Sequence, residues 1–454
     1  MKKFNFKILF LLLTLGSIGV YAQEVSFSDS CFKDLSSRVN KAENDLSFLK
    51  KLKINGWIQV QYQHADSLGA VNVAGGNFQP YSDNRIILRR GRIKFTYEQS
   101  YAMYVLQFDV VDPTLTAPLS ITQNPTGTIT SSNTSTIPFA VNVRDFYVKL
   151  NAPFWKPLTL TVGMQNKPFG FEVSQSSQYR ETPERSRFTQ STNPNERDLG
   201  AMITLQAPKT SLLHIVKINA GLFNGAGIAR EFDSKKDFIG QIILNHSTKN
   251  ERIQYGVGAS YYNGSVLQTD SNVYSSISTV TAGSPLYVSS KTASNIGSYA
   301  KREYIGIDAQ ISIDNPMGIS TLRGEYVQGS QPGIASSSRS PETSPVGATY
   351  IRNFNAGYFY FVHKIARLPF QLVFKYDFYD PNTKVSGYEI NSANKFGIGD
   401  IKYSTLGYGI NYLVSGNLKF MFYYDVIKNE SVAINLYGYD KKDNIFTARV
   451  QYRF

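Results

Sequence analysis

The sequence predicts an all-β fold, a sixteen-stranded antiparallel transmembrane β-barrel that follows a short N-terminal helix. Three observations predict this fold class. From residue 54 onward, apolar and polar residues alternate with a period of two, which is typical of strands whose two faces meet different surroundings. The chain contains 30 Tyr and 29 Phe, and membrane barrels carry aromatic girdles. Short turns also alternate with long polar connections along most of the chain.

The first residues are typical of an export signal. Three lysines flank or precede the apolar run 8–15, and small residues lead up to Ala22, after which we expect cleavage. A membrane anchor is the alternative, but the apolar run is too short to cross a bilayer. The predicted division of the chain is a signal peptide at 1–22, a periplasmic helical segment at 23–52 and an outer-membrane barrel at 53–454.

Charge and cysteine content restrict the partners. The formal net charge is +13, and it stays positive without the three lysines of the signal, which favours small anions and lipopolysaccharide as partners. Export argues against nucleic acid. Cys31 is the only cysteine, so we expect no intramolecular disulfide.

A heptad pattern distinguishes residues 32–52 from the rest of the chain. Apolar residues recur there at spacings of three and four, at Phe32, Leu35, Val39, Ala42, Leu46 and Leu49. The pattern predicts a helix that is too short to form a coiled coil alone and associates only when other copies are held beside it. The alternative is an amphipathic helix that packs on its own chain.

Sixteen segments with strand periodicity follow the helix. They lie near 54–64, 85–98, 101–111, 142–150, 157–165, 197–206, 212–223, 237–247, 252–262, 300–313, 319–329, 350–364, 370–380, 402–414, 418–427 and 444–454. Tight turns on one side of a membrane and long loops on the other explain the rhythm of the connections. The last strand ends on Phe454 and resembles the C-terminal signal that outer-membrane barrels present to their assembly machinery. Both ends of the barrel are therefore expected at the periplasmic side.

Strand phase predicts which charges face the lumen, because the polar face of such a barrel is the inner one. The predicted lumenal cations are Arg90, Arg92, Lys94, Lys149, Lys217, Arg323, Lys375, Lys419, Arg449 and Arg453. The predicted lumenal acids are Asp109, Asp145, Asp198, Asp308, Glu325, Asp377 and Asp425. The modest excess of cations favours anions, although most of these charges are expected to pair across strands. Arg89 falls on the lipid side, so we expect it at the outer rim near lipopolysaccharide phosphates, or turned inward by a bulge at Gly91.

The long connection 166–196 is a candidate pore constriction. It is rich in Arg, Ser and Gln, and if it folds inward it narrows the pore. Its candidate anion-binding residues are Lys167, Arg180, Arg185 and Arg187. The alternative is a loop that faces outward, with its three glutamates pairing with these cations.

No catalytic or metal-binding pattern is present in the sequence. The four histidines are isolated, and neither a nucleophile elbow nor a zinc-protease motif occurs. We therefore predict no cofactor, no metal and no enzymatic activity. A structural or adhesive barrel is a second alternative, which differs in having no open lumen.

Six segments resemble the phosphate-selective porin O and porin P family. They are R-R-G-R-I-K-F at 89–95, V-L-Q-F-D at 105–109, R-D-F-Y-V-K-L at 144–150, N-K-P-F-G-F-E at 166–172, E-R-S-R at 184–187 and R-D-L-G-A-M at 197–202. The resemblance extends from about residue 53 to Phe454.

This resemblance implies a homotrimer of outer-membrane barrels that pass phosphate, polyphosphate or similar small anions by diffusion. It also implies an inward third loop at 166–196 and a coiled segment at 32–52. A general or saccharide-permeable porin with a weak anion bias is the nearest alternative.

Overall fold

The computed structural model describes residues 29–111, 120–123, 129–132, 140–279, 284–343, 345 and 347–454. Two α-helices occur in these ranges, α1 (Asp29–Lys51) and α2 (Arg187–Thr192). The strands are β1 (Leu52–Ala65), β2 (Asn84–Glu98), β3 (Ala102–Val111), β4 (Ser120–Gln123), β5 (Ile129–Ser132), β6 (Ala140–Asn151), β7 (Leu158–Asn166), β8 (Arg197–Gln206), β9 (Val216–Phe223), β10 (Asp237–Ser247), β11 (Ile253–Leu267), β12 (Asn272–Thr279), β13 (Pro285–Lys291), β14 (Tyr299–Asn315), β15 (Gly318–Gly333), β16 (Thr349–Ile365), β17 (Phe370–Asp380), β18 (Tyr403–Leu413), β19 (Leu418–Asn429) and β20 (Ile445–Arg453). The predicted signal peptide lies outside the described residues.

Sixteen of the described strands form one closed antiparallel barrel. Each pairs with the next along the chain, and β1 pairs with β20 to close the ring. The other described strands form two hairpins, β4–β5 and β12–β13, within long connections. Closure leaves no unpaired edge, which a sheet in a bilayer requires. The predicted all-β, sixteen-stranded fold is confirmed.

The observed strands coincide with the sixteen predicted segments, with one clear difference. The strand expected over 212–223 begins only at Val216. Leu212–Ile215 form a 3-10 turn instead, and the Ser211 hydroxyl accepts a hydrogen bond from the backbone of Leu213 in that turn. A turn of this kind shows no period of its own, and its apolar residues Leu212, Leu213 and Ile215 resemble those of a strand in the sequence.

Short turns and long connections alternate around the whole barrel. The turns 99–101 and 316–317 are short, whereas the connections 66–83 and 381–402 are long. The end of the last strand lies at the short-turn side, where Gly56 and Phe454 exchange backbone hydrogen bonds. Short turns face the periplasm in outer-membrane barrels.

The two faces of each strand differ as the period of two requires. On β20, Val450 and Tyr452 are exposed on the outer surface, while Arg449 and Gln451 are buried inside. The outer surface is therefore apolar and the lumen carries the polar side chains.

A β-bulge in β2 turns an additional arginine into the lumen. The register with β1 shifts between Gln59 and Val60, and Arg89 has no opposite residue at that step. Arg89 and Arg90 therefore both point inward. The expected position of Arg89 at the outer rim is therefore wrong. Arg89 is turned inward by a bulge, but the bulge lies at Arg89 and not at Gly91. A bulge at the arginine itself removes its charge from the lipid.

A second bulge has the same effect on β6. The register with β3 shifts between Gln107 and Phe108, and Arg144 is the additional residue. Arg144 and the adjacent Asp145 both form ion pairs in the lumen. Strand phase alone did not place Arg144 there.

Helix α1 agrees with the helix expected from the heptad pattern. Its apolar residues are exposed, and they include Phe32, Leu35, Val39, Leu46 and Leu49. Among the described residues, no helix is long and apolar enough to cross a membrane. Association of α1 with other copies stays a prediction.

Gly163 on β7 gives a stability test of the barrel wall. Its φ is +126°, and an added Cβ lies 2.3 Å from the carbonyl oxygen of Phe146 on β6. We expect Gly163→Ala to lower the free energy of unfolding by about 1–3 kcal/mol, because a side chain is strained at such a φ. Urea unfolding of the barrel in detergent micelles measures this change.

The matched control is Gly324→Ala on β15, where an added Cβ meets Tyr358 at 3.4 Å, an ordinary contact distance. Equal urea midpoints for the two variants contradict the prediction.

Candidate pore constriction

The connection between β7 and β8, residues 167–196, folds into the barrel, and we call it the inner loop. It reaches strands on the far side of the ring from its origin. The backbone N–H of Arg187 donates to Asp377 on β17 at 3.3 Å. The side-chain amide of Asn411 on β18 donates to the carbonyl of Glu181 at 2.9 Å. The inner loop therefore crosses the lumen instead of facing outward.

Side chains of the wall hold the main chain of the inner loop over residues 177–183. Each donates a hydrogen bond to a loop carbonyl, and the donors come from β1, β18, β19 and β20. The pairs are Gln59 with Ser177 at 3.1 Å, Gln451 with Gln178 at 2.9 Å, Lys419 with Arg180 at 2.7 Å, Asn411 with Glu181 at 2.9 Å and Arg449 with Pro183 at 2.6 Å. These bonds satisfy backbone acceptors that lack a secondary-structure partner.

Aromatic packing anchors the inner loop on a second wall. Phe169 is fully buried, and its ring centroid lies 6.3 Å from that of Tyr262 and 6.0 Å from that of Tyr304. Phe188 of helix α2 stacks on Tyr358 at 6.0 Å. Buried aromatic pairs at these distances stabilise a packed arrangement.

The carboxylate of Glu172 ties two parts of the inner loop together. It accepts hydrogen bonds from the backbone and hydroxyl of Ser186, from the Thr189 hydroxyl at 2.6 Å and from the Tyr360 hydroxyl at 2.8 Å. Burial raises the pKa of Glu172, but Lys375 and these donors outweigh it and lower the pKa below its usual range. Hydrogen-bond donors of the protein thus replace water around the buried negative charge of Glu172.

Three arginines surround the carboxylate of Glu184. Arg89 donates two hydrogen bonds, at 2.8 and 3.0 Å, and Arg90 two more, at 2.8 and 3.3 Å. Arg449 donates a fifth at 2.6 Å. Burial opposes ionisation of Glu184, but the three guanidinium groups hold its pKa well below the usual range. The carboxylate is ionised at neutral pH.

Four further arginines surround Glu196 at the end of the inner loop. Arg185 lies 3.2 Å from its carboxylate, Arg180 and Arg197 lie 3.6 Å away, and Arg144 is hydrogen-bonded to it. Burial, together with neighbouring arginines, lowers the pKa of Arg180 to about 9. In the described part of the chain, the Nε and Nη1 atoms of Arg180 have no hydrogen-bond partner.

The four predicted constriction cations do not form one cluster. Arg180 and Arg185 share Glu196. Arg187 stacks over the ring of Tyr403 at 3.8 Å. Lys167 is buried at the start of the inner loop and lines a separate cavity, and burial lowers its pKa. Their common role in binding an anion stays a prediction.

The six predicted wall cations lie inside the barrel in two different settings. Four are paired: Arg90 with Glu184 at 2.8 Å, Arg92 with Asp109 at 2.9 Å, Arg323 with Glu181 at 3.3 Å and Lys375 with Asp377 at 3.2 Å. Lys94 and Lys149 instead line a large cavity, and no described carboxylate lies within ion-pair distance of either.

Three arginines at the site were missed by the strand phase, namely Arg89, Arg144 and Arg197. Each stands next to a second charge that faces the lumen: Arg90, Asp145 or Asp198. Two consecutive charges in a membrane strand cannot both face water under strict alternation. This adjacency is the sequence signal for a bulge or a strand end.

Two cavities lie on the short-turn side of the inner loop, and both are rich in cations. One has a volume of about 950 Å³ and is lined by Lys94, Lys149, Lys156, Lys167, Arg197, Lys209 and Lys217, with Asp145 as its one acidic residue among those described. The other has a volume of about 820 Å³ and is lined by Arg180, Lys364, Arg367, Lys419 and Arg453, with Glu181 and Asp314. Gln178 and Tyr179 border both cavities. A solute that leaves the constriction towards this side meets a positive surface.

No group of three or more His, Cys, Asp and Glu residues in the described ranges is arranged to hold a metal ion.

Removal of the Glu172 carboxylate tests whether it holds the inner loop. We expect Glu172→Ala to leave its buried donors unpaired, at a cost of several kcal/mol, and to expose the loop to trypsin at Arg180, Arg185 and Arg187. Limited proteolysis of the native barrel, followed by mass spectrometry, measures the cleavage.

The control is Glu181→Ala, because Glu181 forms a single described ion pair, with Arg323. Resistance of Glu172→Ala equal to that of the wild type contradicts the prediction.

Comparisons with known proteins bear on the same region. Residues 118–227, which include the inner loop, match the family model of "Phosphate-selective porin O and P", and no curated protein sequence matches the chain. Solved structures with a similar fold include the outer membrane channel DcaP of Acinetobacter baumannii (11% identity, TM-score 0.48, covering 89% of this chain and 97% of that one). They also include an anion-selective porin from Comamonas acidovorans (9%, 0.48, 89% and 99%) and the trimer form of OmpT of Vibrio cholerae (9%, 0.46, 89% and 99%). The family match confirms the resemblance to the phosphate-selective porin O and P family over residues 118–227, and the chain is a porin-type outer-membrane channel with a closed sixteen-stranded barrel.

Proposed function

We propose that this porin passes small anions, with phosphate and polyphosphate as the leading candidates, by passive diffusion across the outer membrane. One observation carries the proposal: in the ion-pair networks of Glu184 and Glu196 at the inner loop, eight arginines meet four carboxylates. The arginines are Arg89, Arg90, Arg92, Arg144, Arg180, Arg185, Arg197 and Arg449, and the acids are Asp109, Asp145, Glu184 and Glu196. Such an excess of positive charge attracts anions and repels cations.

The chemistry of the guanidinium group supports phosphate in particular. Arginine presents a planar fork of N–H donors that matches two oxygens of a phosphate or carboxylate. Arg180 has unpartnered donors beside Arg185, which supports these two residues as an anion contact. We propose that Lys167 guides the anion into the lysine-lined cavity and that Arg187 adds to the positive field of the constriction.

The pairing of most wall cations supports a second candidate, a general or saccharide-permeable porin with a weak anion bias. A cation whose charge is largely balanced by its own carboxylate contributes little to selectivity. The excess of arginine over acid in the networks of Glu184 and Glu196 favours the anion channel, and the two candidates differ in the size of the selectivity.

We also propose a homotrimer, to which the exposed apolar residues of α1 and the family resemblance lend support. Three copies of α1 held together by their barrels could bury those residues. The barrel assembly machinery is the proposed partner during biogenesis, and lipopolysaccharide the proposed neighbour of the apolar outer surface.

Ion selectivity in a planar bilayer tests the proposed function. We expect the purified protein to form ohmic channels that insert in threes and whose zero-current potential under a KCl gradient reports anions. Added phosphate should reduce the chloride current, because both anions use the same arginines. A zero-current potential that reports cations contradicts the proposal, and an anion potential without phosphate block favours the general porin.

Replacement of the loop arginines tests the constriction itself. We expect Arg180→Ala, Arg185→Ala and Arg187→Ala together to lower the chloride-to-potassium permeability ratio several-fold, because three positive charges leave the inner loop. The same zero-current potential measures this change.

The control carries three alanines at exposed cations, Lys249, Arg252 and Lys384, and removes the same net charge. Equal permeability ratios in both triple variants place selectivity elsewhere in the barrel.

A further inference from the structure

The three-arginine cluster around Glu184 has the coordination of an anion-binding site. Its carboxylate receives five hydrogen bonds from Arg89, Arg90 and Arg449, and two of these guanidinium groups bind it in bidentate fashion. Bound phosphates and carboxylates are held by arginine forks in the same way. The ligand here is a side chain of the inner loop.

The charge around Glu184 is not balanced. Three cations meet one carboxylate, and within the described residues no other acid lies in ion-pair distance of these arginines. The other hydrogen-bond acceptors of these arginines are neutral: the side-chain oxygen of Gln59 accepts from Arg90, and that of Gln61 accepts from Arg449. The cluster therefore keeps a net positive charge while Glu184 is in place.

The carboxylate of the cluster lies beside a small cavity. Glu184 borders this cavity of about 40 Å³ together with Arg185, Arg187, Lys375, Asp377 and Asp425, and 11% of its side chain is exposed. This cavity lies on the other face of the inner loop from the two larger cavities, which do not include Glu184. Glu184 lines this cavity, whereas Arg89, Arg90 and Arg449 do not.

We propose that Glu184 is a tethered anion that occupies the three-arginine site and competes with the permeating anion for it. This inference rests on the proposed anion channel and deepens it. A tethered carboxylate acts at a high effective concentration, so it lowers the apparent affinity of the site for a free anion. Weak binding of this kind favours a high rate of permeation, because a permeating ion must leave the site as readily as it enters.

Chloride conductance of the full-length protein with formate as a small carboxylate probe tests the proposal. Glu184→Ala leaves the three arginines without their carboxylate and opens space for formate. We expect formate to block the chloride current at a concentration about tenfold lower in Glu184→Ala than in the wild type, since the site is no longer occupied by the protein. Inorganic phosphate should show the same shift.

Two further variants make the result decisive. Glu181→Ala removes the same charge from the same loop, but Glu181 pairs with a single arginine, Arg323, so its block by formate should stay at the wild-type value. Glu184→Gln keeps the size of the side chain and preserves the fold if alanine does not, and it should also bind phosphate more tightly.

A formate or phosphate block that is equal in Glu184→Ala and Glu181→Ala overturns the tethered-anion proposal. The wild-type selectivity is measured in the same experiment, so failure of the anion channel itself, seen as a wild-type preference for cations, is distinguished from failure of the role of Glu184.

Discussion

The exclusion of charge from the lipid-facing surface is the constraint on which the rest of this structure depends. An arginine on that surface costs about 2–4 kcal/mol at the bilayer midplane. Strands β2 and β6 carry consecutive charges, and each forms a bulge that turns Arg89 or Arg144 into the lumen. The lumen thereby collects more guanidinium groups than the wall carboxylates can pair, and the inner loop supplies the missing acids, Glu184 and Glu196.

Two kinds of attachment then determine the conformation of the inner loop. Aromatic packing of Phe169 and Phe188 fixes it against β11, β14 and β16. Ion pairs of Glu184 and Glu196 fix it against the arginines of β2, β6, β8 and β20. The apolar attachment does not depend on ions, whereas the charged attachment uses the arginines that we propose as contacts of the permeating anion. Under that proposal, the same side chains hold the inner loop and determine selectivity.

The sequence predicts the barrel well because strand alternation and turn spacing are local patterns. The sixteen strands and the inward direction of residues such as Arg92 follow from them. The positions of Arg89 and Arg144 did not follow, because one additional residue in a strand reverses the phase. The contact between Glu184 and Arg449 also cannot be predicted from the sequence pattern, because these residues lie 265 positions apart. The composition of the inner loop does not show how its four candidate cations are arranged: Lys167 lines a separate cavity, Arg180 and Arg185 share Glu196, and Arg185 and Arg187 border the small cavity at Glu184.

The hydrogen bonds from the wall to the main chain of residues 177–183 have a consequence for protein engineering. These five bonds are made to carbonyl groups, which every amino acid has. Other wall groups contact side chains of the same segment: Trp57 and Arg92 donate to the Ser177 hydroxyl, and Arg323 pairs with Glu181. Gln178 borders both large cavities and is bound to the wall through its carbonyl group, so its side chain can be exchanged without loss of that bond, whereas the ring of Tyr179 also lies under Arg453. The lining of the two large cavities can therefore be changed at Gln178 while the barrel wall still holds the inner loop.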